Sequence, residues 1–513
     1  MKKLPIGIQS FESLRKDDYL YVDKTDLVYN LAHGGKYFFL SRPRRFGKSL
    51  LLSTLKAYFE GKRHLFEGLA IMQLEKDWKE HPVLHLDLNT GDYTSEAGLW
   101  AMFRRHIEQW EKQYGIVPTQ DDLPSRFVNL INSLQGVVIL VDEYDKPLLQ
   151  TMNDEVLQDR FRTILKSMYS VLKTCDAHIR FALLTGVSRF SHVSIFSDLN
   201  NLTDLTLNNS YAAICGITEE ELRTSFTDHI AALAAQKNAS IDDILARLKA
   251  MYDGYHFTAS MVDVYNPFSL LNAFYCGQLQ SFWYQSGTPT FLIKKLESNH
   301  ADLPDLSEGR LVANSLADTD SVGDNWVALF FQTGYLTIKG YDDDFGSYSL
   351  GFPNREVEEG FMKSLIPHYT SRNDNQTGTF IQQSVLALRR GDAEEFLRQM
   401  QVFLAGVPYE LVRPNENWYQ TVVYLLCRLI GFYTQAEYHT SHGRIDMVVQ
   451  TTDNIYIFEF KLDLPAEVGA RQIEERDYAL PFANDPRRLQ RVAVSFSTAK
   501  RNIDSWKIDT REK

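Results

Sequence analysis

Cysteine is scarce in this chain, with four in 513 residues, at Cys175, Cys215, Cys276 and Cys427. Their scatter matches neither a disulfide framework nor a metal-binding spacing, which excludes stapled secreted scaffolds and cysteine-based zinc modules. No apolar run reaches the length of a membrane span, so no membrane helix is expected. The opening Met1-Lys2-Lys3-Leu4-Pro5 leads into no apolar signal core, and a cytoplasmic protein is expected. An excess of positive charge is also missing. The 54 Lys and Arg against 66 Asp and Glu give a net charge of −12, which argues against a surface coated overall by nucleic acid. A local basic channel remains compatible with that balance. Repeats and low-complexity tracts are absent. What is present, 44% hydrophobic and 23% charged residues, describes a globular chain. Its length is enough for about two to four domains.

The most informative stretch is Ser41-Arg42-Pro43-Arg44-Arg45-Phe46-Gly47-Lys48-Ser49. It follows the apolar run Tyr37-Phe38-Phe39-Leu40 and opens a helix-periodic pattern through Leu51, Leu52, Leu55 and Tyr58. Strand, loop, Gly-Lys-Ser and helix are the context of a phosphate-binding loop. In such a loop, here Pro43 to Ser49, the backbone N–H groups beyond the proline and the helix N-terminus would hold phosphates, Lys48 would reach the β- and γ-phosphates, and Ser49 would bind Mg²⁺. Arg42 stands where the first glycine of that motif is expected. Taken alone, the stretch reads equally as a basic loop capping an ordinary helix.

A second segment favours the nucleotide reading. Val137-Val138-Ile139-Leu140-Val141 is a continuous apolar run that ends in Asp142-Glu143. A run of this kind suits a strand buried on both faces of a parallel sheet, whose C-terminal end is where ligands bind. Asp142 would hold Mg²⁺ through water, and Glu143 would orient and deprotonate the attacking water. A further strand over Ile179–Leu184 ends in Thr185-Gly186-Val187-Ser188-Arg189. Thr185 or Ser188 would sense the γ-phosphate there, and Arg189 would stabilise transition-state charge within or between subunits; the alternative is a turn with a surface Arg. A homo-oligomer is compatible with Arg189 acting between subunits.

From about 217 the pattern turns helical, with Thr218 and Glu221 spaced as a capping box. The aromatic runs around Tyr252–Phe257 and Tyr265–Phe268 read as core, and His256 as a packing or hydrogen-bonding residue. Trp326–Gln332 reads as a helix before a hairpin, a winged-helix-like pattern. Asp342, Asp343 and Asp344 at the hairpin tip would repel phosphates, so a packing role is expected for it.

The last hundred or so residues carry a separate constellation. The expected order is a helix from Glu416, three strands, a helix with Gln472 and Tyr478, then a strand over Val492–Phe496. Alternation puts Glu459 and Lys461 on one face of a strand, with Phe458 and Phe460 on the other. A turn at Asp453-Asn454 makes the Asp446 strand its antiparallel neighbour, so Asp446 and Glu459 converge. Two carboxylates are the oxygen ligands that Mg²⁺ accepts, and the ion would activate water and neutralise phosphodiester charge. Lys461 would stabilise the phosphorane oxyanion, Gln472 would orient the nucleophile or a ligand, and Glu416 would complete the metal shell. The bland counterpart is an exposed strand pair with an ordinary Glu–Lys contact. Arg487, Arg488, Arg491, Lys500 and Arg501 would line a phosphate track or form a solvated basic face.

These residues carry a resemblance across nearly the whole chain. The N-terminal half resembles the bacterial AAA-ATPase-like family, with Arg42–Ser49 as its variant phosphate loop. Tyr21-Val22-Asp23-Lys24-Thr25 and Phe196-Ser197-Asp198-Leu199-Asn200-Asn201 also match patterns of that family. The C-terminal part resembles the PD-(D/E)XK nuclease superfamily, with Asp446, Glu459 and Lys461 on its catalytic positions and Gln472 and Tyr478 on its Gln-x5-Tyr pattern. Ile445 replaces the proline of that motif. The resemblance implies ATP hydrolysis and nucleic-acid cleavage, DNA being the favoured substrate, with ATP and Mg²⁺ as cofactors. The expected architecture is α/β. It comprises an AAA-like P-loop ATPase with a parallel sheet over 1–210, a helical lid region over 211–300, a winged-helix-like or helical connector over 301–395, and a restriction-endonuclease-like α/β module over 396–513. The alternative function is a nucleotide-gated switch whose C-terminal module binds nucleic acid or protein without cutting.

Overall fold

The apolar runs of the N-terminal half become the strands of one parallel sheet. The computed structural model describes residues 1–152, 154–189, 196, 201–284, 311–313, 316, 326–370, 374–406, 422, 424–426, 428–429, 433–440 and 443–511. They fall into two compact units, residues 1–287 with 308–357, and residues 288–307 with 358–513.

In the first unit β1 (Tyr37–Ser41), β2 (Val83–Asp87), β3 (Val137–Asp142), β4 (Ile179–Gly186) and β5 (Thr203–Asp204) lie in the order β2-β3-β4-β1-β5, all parallel. Every residue of β1 and β3 is buried, which is what helices on both faces of a parallel sheet require. One consequence of the strand order decides the site. β4 lies between β1 and β3, so the residues ending β4 lie beside both the loop after β1 and the carboxylates after β3.

The helix Lys48–Phe59 starts directly from the loop, with Gly47 at φ 95° as its cap, and buries Leu51, Leu52, Leu55 and Phe59. A helical region follows β5, and its helix Glu219–Ser225 begins with the Thr218–Glu221 capping box. Downstream, the helix Trp326–Thr333 precedes a hairpin of β7 (Thr337–Asp342) and β8 (Ser347–Gly351), to which the short β6 (Leu311–Ala313) adds a third strand. His256 ties into that hairpin: its Nδ1 lies 2.8 Å from the Ile338 carbonyl and its Nε2 2.5 Å from Asp263.

A buried ion pair locks two helices of the first unit. Arg126 Nε and Nη2 reach the two Glu111 oxygens at 3.1 and 2.5 Å, and the residues are only 7% and 5% exposed. Removing Glu111 leaves the buried Arg126 charge to the more distant, exposed Glu108 at 3.8 Å. Glu111→Ala is therefore expected to lower unfolding stability by about 3–5 kcal/mol, read as a fall in the urea midpoint.

In the second unit the sheet runs β13-β12-β11-β10-β9, comprising β9 (Tyr433–Thr440), β10 (Gly443–Gln450), β11 (Asn454–Leu462), β12 (Arg488–Ser497) and β13 (Asn502–Arg511). β9, β10 and β11 are antiparallel neighbours, β12 pairs parallel to β11, and β13 closes the edge antiparallel. The edge strand β13 has no counterpart in the sequence reading. A parallel β11–β12 pair needs a crossover, and the helix Ala466–Glu475 supplies it.

Candidate functional site

The phosphate loop and the carboxylate strand meet as the strand order demands. Ser49 Oγ donates to Asp142 Oδ2 at 2.6 Å, and Thr185 Oγ1 donates to Asp142 Oδ1 at 2.8 Å. Asp142 and Thr185 are buried at 6% and 0% exposure, so each oxygen of this carboxylate accepts one hydroxyl in a pocket of low dielectric. The Lys48 ammonium is buried behind the loop and donates to the carbonyls of Arg42 and Pro43 at 2.9 and 3.0 Å. Burial pushes its pKa down, opposed by the nearby Asp142 and Glu143 charges. A phosphate placed in the loop would add a further anionic partner for that ammonium. The oxygen donors of Ser49 and Asp142 fit a hard divalent cation such as Mg²⁺.

Glu143 leaves β3 with φ 54°, and its carboxylate lies 3.5 Å from Lys146 Nζ. Sequence reasoning missed Lys146, and it missed Asp145 too. The fully buried Asp145 carboxylate accepts the N–H groups of Val187 and Ser188, the latter at 2.7 Å, together with the Ser188 hydroxyl at 2.8 Å. Burial raises its pKa, and those Ser188 and Val187 bonds hold it down. Asp145 thereby fixes the turn that carries Ser188 and Arg189. Its signal in the sequence was only its place three residues after Asp142. Ser188 spends its hydroxyl on Asp145, which leaves Thr185 as the residue in contact with the Asp142 carboxylate.

Arg189 is held within its own chain, its Nη2 2.8 Å from Asp204. The first arginine of the loop is turned inward. Arg42 is completely buried, donates to the carbonyls of Ser41, Thr206 and Tyr211, and stacks 4.4 Å from the Phe257 ring. It is a structural strut because its bulk fills the space behind the loop. Phe46 is buried at 1% exposure and packs edge-on against Tyr255 and Phe257, so only its backbone is available to a nucleotide. Pro43 is buried, Arg44 is exposed, and exposed Arg45, at φ 71°, lies over the Phe268 ring.

Beside Gly47 an apolar pocket of about 110 Å³ opens between Tyr21 and Val22, Leu50 and Leu51, and Ile217 and Phe226. That is several times the space one water requires, and its walls suit a flat aromatic group. Lys24 at its rim pairs with Glu221 at 2.7 Å.

In the second unit Asp446 stands one step beyond the Met447–Phe458 pair, level with Glu459 on the neighbouring strand. Directly opposed residues of antiparallel strands share a face, so both carboxylates project to the same side. Asp446 Oδ2 accepts the Phe460 N–H at 2.8 Å, and Lys461 Nζ lies 2.7 Å from Glu459 Oε1. Glu459 is 1% exposed and Phe458 and Phe460 are buried on the opposite face. The helix Ala466–Glu475 covers the carboxylate face, and Gly469 permits the approach. A Cβ there would stand 3.2 Å from Ala493 and 3.4 Å from the Glu459 side chain. Gln472 is one turn further on and donates to Tyr478 Oη at 3.2 Å. Tyr478 lies just past the helix end and is buried beneath it. Paired carboxylates with an adjacent ammonium fit a divalent cation that keeps several waters. Glu416 lies outside the described residues.

Several basic residues of this module are paired with acids. Arg487 is pinned to Asp485 at 2.6 Å and to Gln450 at 2.8 Å, Arg491 pairs with Asp509 at 3.5 Å, and Lys500 pairs with Asp504. Arg488 sits level with Asn454 while Glu459 sits level with Ala493. The strand rise therefore puts Arg488 about 17 Å from the carboxylates, towards the other end of the sheet.

The fold is that of an α/β P-loop ATPase-like unit in a chain that also carries a nuclease-like α/β module. A model of the family described as predicted AAA-ATPase matches residues 5–196, and one of the PD-(D/E)XK nuclease superfamily matches residues 414–506. A protein of Azotobacter chroococcum mcd 1, named as an uncharacterized protein in the vnfD 5′ region, is 36% identical over 530 residues and covers 99% of both chains. The chain belongs to the family of AAA-ATPase-like proteins with a C-terminal PD-(D/E)XK nuclease superfamily domain. Among solved structures, the Aeropyrum pernix ORC2 protein in ADPNP–ADP complexes aligns over 68% of this chain and 90% of that one, with 10% identity and a TM-score of 0.27, too low to carry an argument. Among the described residues no helix is long and apolar enough to cross a membrane.

Proposed function

We propose that this protein binds and hydrolyses ATP and uses the nucleotide state to govern a metal-dependent cleavage of nucleic-acid phosphodiesters, DNA foremost. The reading rests above all on Ser49, Asp142 and Thr185 forming one hydrogen-bonded group beside Lys48 at the ends of β1, β3 and β4. In it the backbone of Pro43, Arg44, Arg45, Phe46, Gly47 and Lys48 cradles phosphates, Lys48 reaches the β- and γ-phosphates, and Thr185 senses the γ-phosphate. The base enters the apolar pocket beside Gly47. Ser49 and Asp142 hold Mg²⁺, which supplies charge neutralisation when bound. Glu143 takes a proton from the attacking water. Arg189 joins the nucleotide only by leaving Asp204, within the chain or in a homo-oligomer.

In the C-terminal module Asp446 and Glu459 hold the second cation, Lys461 offsets charge on the phosphodiester, and Gln472 orients the attacking water. Glu416 is the candidate third carboxylate. The four-part division at about 210, 300 and 395 and a cytoplasmic location belong to the same proposal.

A second reading is a nucleotide-gated switch whose C-terminal module binds nucleic acid without cutting it. The acidic partners of Arg487, Arg491 and Lys500 favour it, because they lower the positive potential a substrate would meet. The deciding experiment gives the full chain single- and double-stranded DNA and RNA with Mg²⁺ or Mn²⁺, with and without ATP. Metal-dependent cleavage is expected. Nucleotide binding with no cleavage of any substrate would leave the switch standing, and absence of both would remove the ATPase half as well.

A further inference from the structure

The phosphate loop is gripped from outside by residues far along the chain. Trp283 Nε1 donates to the Arg44 carbonyl at 3.0 Å. Trp283 is itself held by its backbone: its N–H reaches Glu356 Oε1 at 2.7 Å, and the Phe282 N–H reaches the same oxygen at 2.5 Å. Glu356 is completely buried, and burial pushes its pKa up to about 7. Gly334 packs against both ends of the contact; a Cβ there would stand 2.7 Å from Pro43 and 3.4 Å from the Trp283 ring. A buried carboxylate committed to the Ser269 hydroxyl and to the backbone N–H groups of Phe282, Trp283 and Tyr284 is a costly device, and here it orients an indole that touches the loop backbone.

The contact has a stereochemical consequence. The peptide between Arg44 and Arg45 is planar and trans, so its carbonyl and N–H point in opposite directions. Drawing the Arg44 carbonyl to Trp283 turns the Arg45 N–H away from Trp283. Arg45 itself is left-handed at φ 71°, a conformation a non-glycine residue holds only when its surroundings enforce it. Its side chain is drawn off onto Phe268, 5.0 Å away.

We propose that Glu356 and Trp283 are positioning residues for nucleotide binding: they fix the Arg44–Arg45 peptide so that the Arg45 N–H faces the phosphates. This clamp supplies the orientation that a glycine-rich loop obtains by its own backbone freedom, and it occurs where Arg42 replaces the first glycine. It also makes phosphate affinity depend on residues outside the parallel sheet. The inference rests on the ATPase reading above.

The test compares Trp283→Phe, Glu356→Gln and Glu356→Ala in the full chain by calorimetric titration with ATP, ADP and AMP. Trp283→Phe keeps a ring but loses the donor, and is expected to weaken ATP and ADP about five- to tenfold, the scale of one hydrogen bond. AMP, which lacks the β-phosphate, should change less than twofold; a general disturbance of the fold would weaken all three. Glu356→Gln keeps an acceptor oxygen and should bind ATP as the wild type does, whereas Glu356→Ala should match Trp283→Phe. Unchanged ATP affinity in Trp283→Phe would overturn the clamp, as would equal losses for ATP and AMP. A weakened Glu356→Gln would overturn the acceptor role of Glu356. If Glu356→Ala does not fold, the Phe variant decides. A wild type that binds no nucleotide would instead remove the ATPase reading itself.

Discussion

Glu143→Gln should leave ATP bound and slow its hydrolysis by about two to four orders of magnitude, the usual share of a general base. The substitution keeps the size and shape of the side chain and removes only its basicity. Glu143 is not one of the residues joined to Ser49 and Asp142, so the hydroxyl–carboxylate group that would hold Mg²⁺ is preserved. It pairs with Lys146 at 3.5 Å, a half-buried contact that a Gln oxygen can accept without strain. Single-turnover hydrolysis, with nucleotide affinity measured alongside, reads the effect. Turnover at the wild-type rate would remove Glu143 as the base, and loss of affinity would mean that the substitution had disturbed the loop instead.

Asp446→Asn should abolish nucleic-acid cleavage and leave ATP turnover near the wild-type value. The choice of Asn follows from the Phe460 N–H that Asp446 Oδ2 accepts at 2.8 Å. An amide oxygen can keep that bond and hold β10 to β11, while the negative charge needed beside Glu459 is gone. An Ala there would confound lost chemistry with a frayed strand pair. Binding of uncut nucleic acid should persist in the variant, measured by fluorescence anisotropy. If cleavage survives, Asp446 is not a cation ligand. If wild type and variant bind alike and neither cuts, the switch reading prevails.

Much of both sites could be read from local pattern. The continuous apolar runs before Ser41 and Asp142 became fully buried parallel strands because burial on both faces leaves no polar alternation. Period-two alternation around Phe458, Glu459, Phe460 and Lys461 did place the aromatics and the charged pair on opposite faces, since strand geometry depends only on neighbours. The Thr218–Glu221 capping box is equally local. Other features were not legible. Arg42 read as a residue standing where a glycine was expected, and packing revealed it as a buried strut with three carbonyl partners. Arg487, Arg491 and Lys500 read as a cluster, yet two of them find their acids across strands or loops and the cluster lies along the length of β12.

The sequence alone determined the kinds of chemistry available: a Lys-Ser pair after a strand, two carboxylates ending another, and an Asp, Glu and Lys set in a strand pair. Each depends on spacing along a few residues, which elementary backbone geometry translates directly. The tertiary structure decided which groups meet. The order β2-β3-β4-β1-β5 put the Asp142 carboxylate between the Ser49 and Thr185 hydroxyls and folded Asp145 onto the turn after β4, and packing outside the sheet brought Trp283 and Glu356 to a loop some 240 and 310 residues earlier in the chain. Such partners carry no sequence period, because contacts made across strand order and between distant segments are chosen by packing and by the need to satisfy buried polar groups.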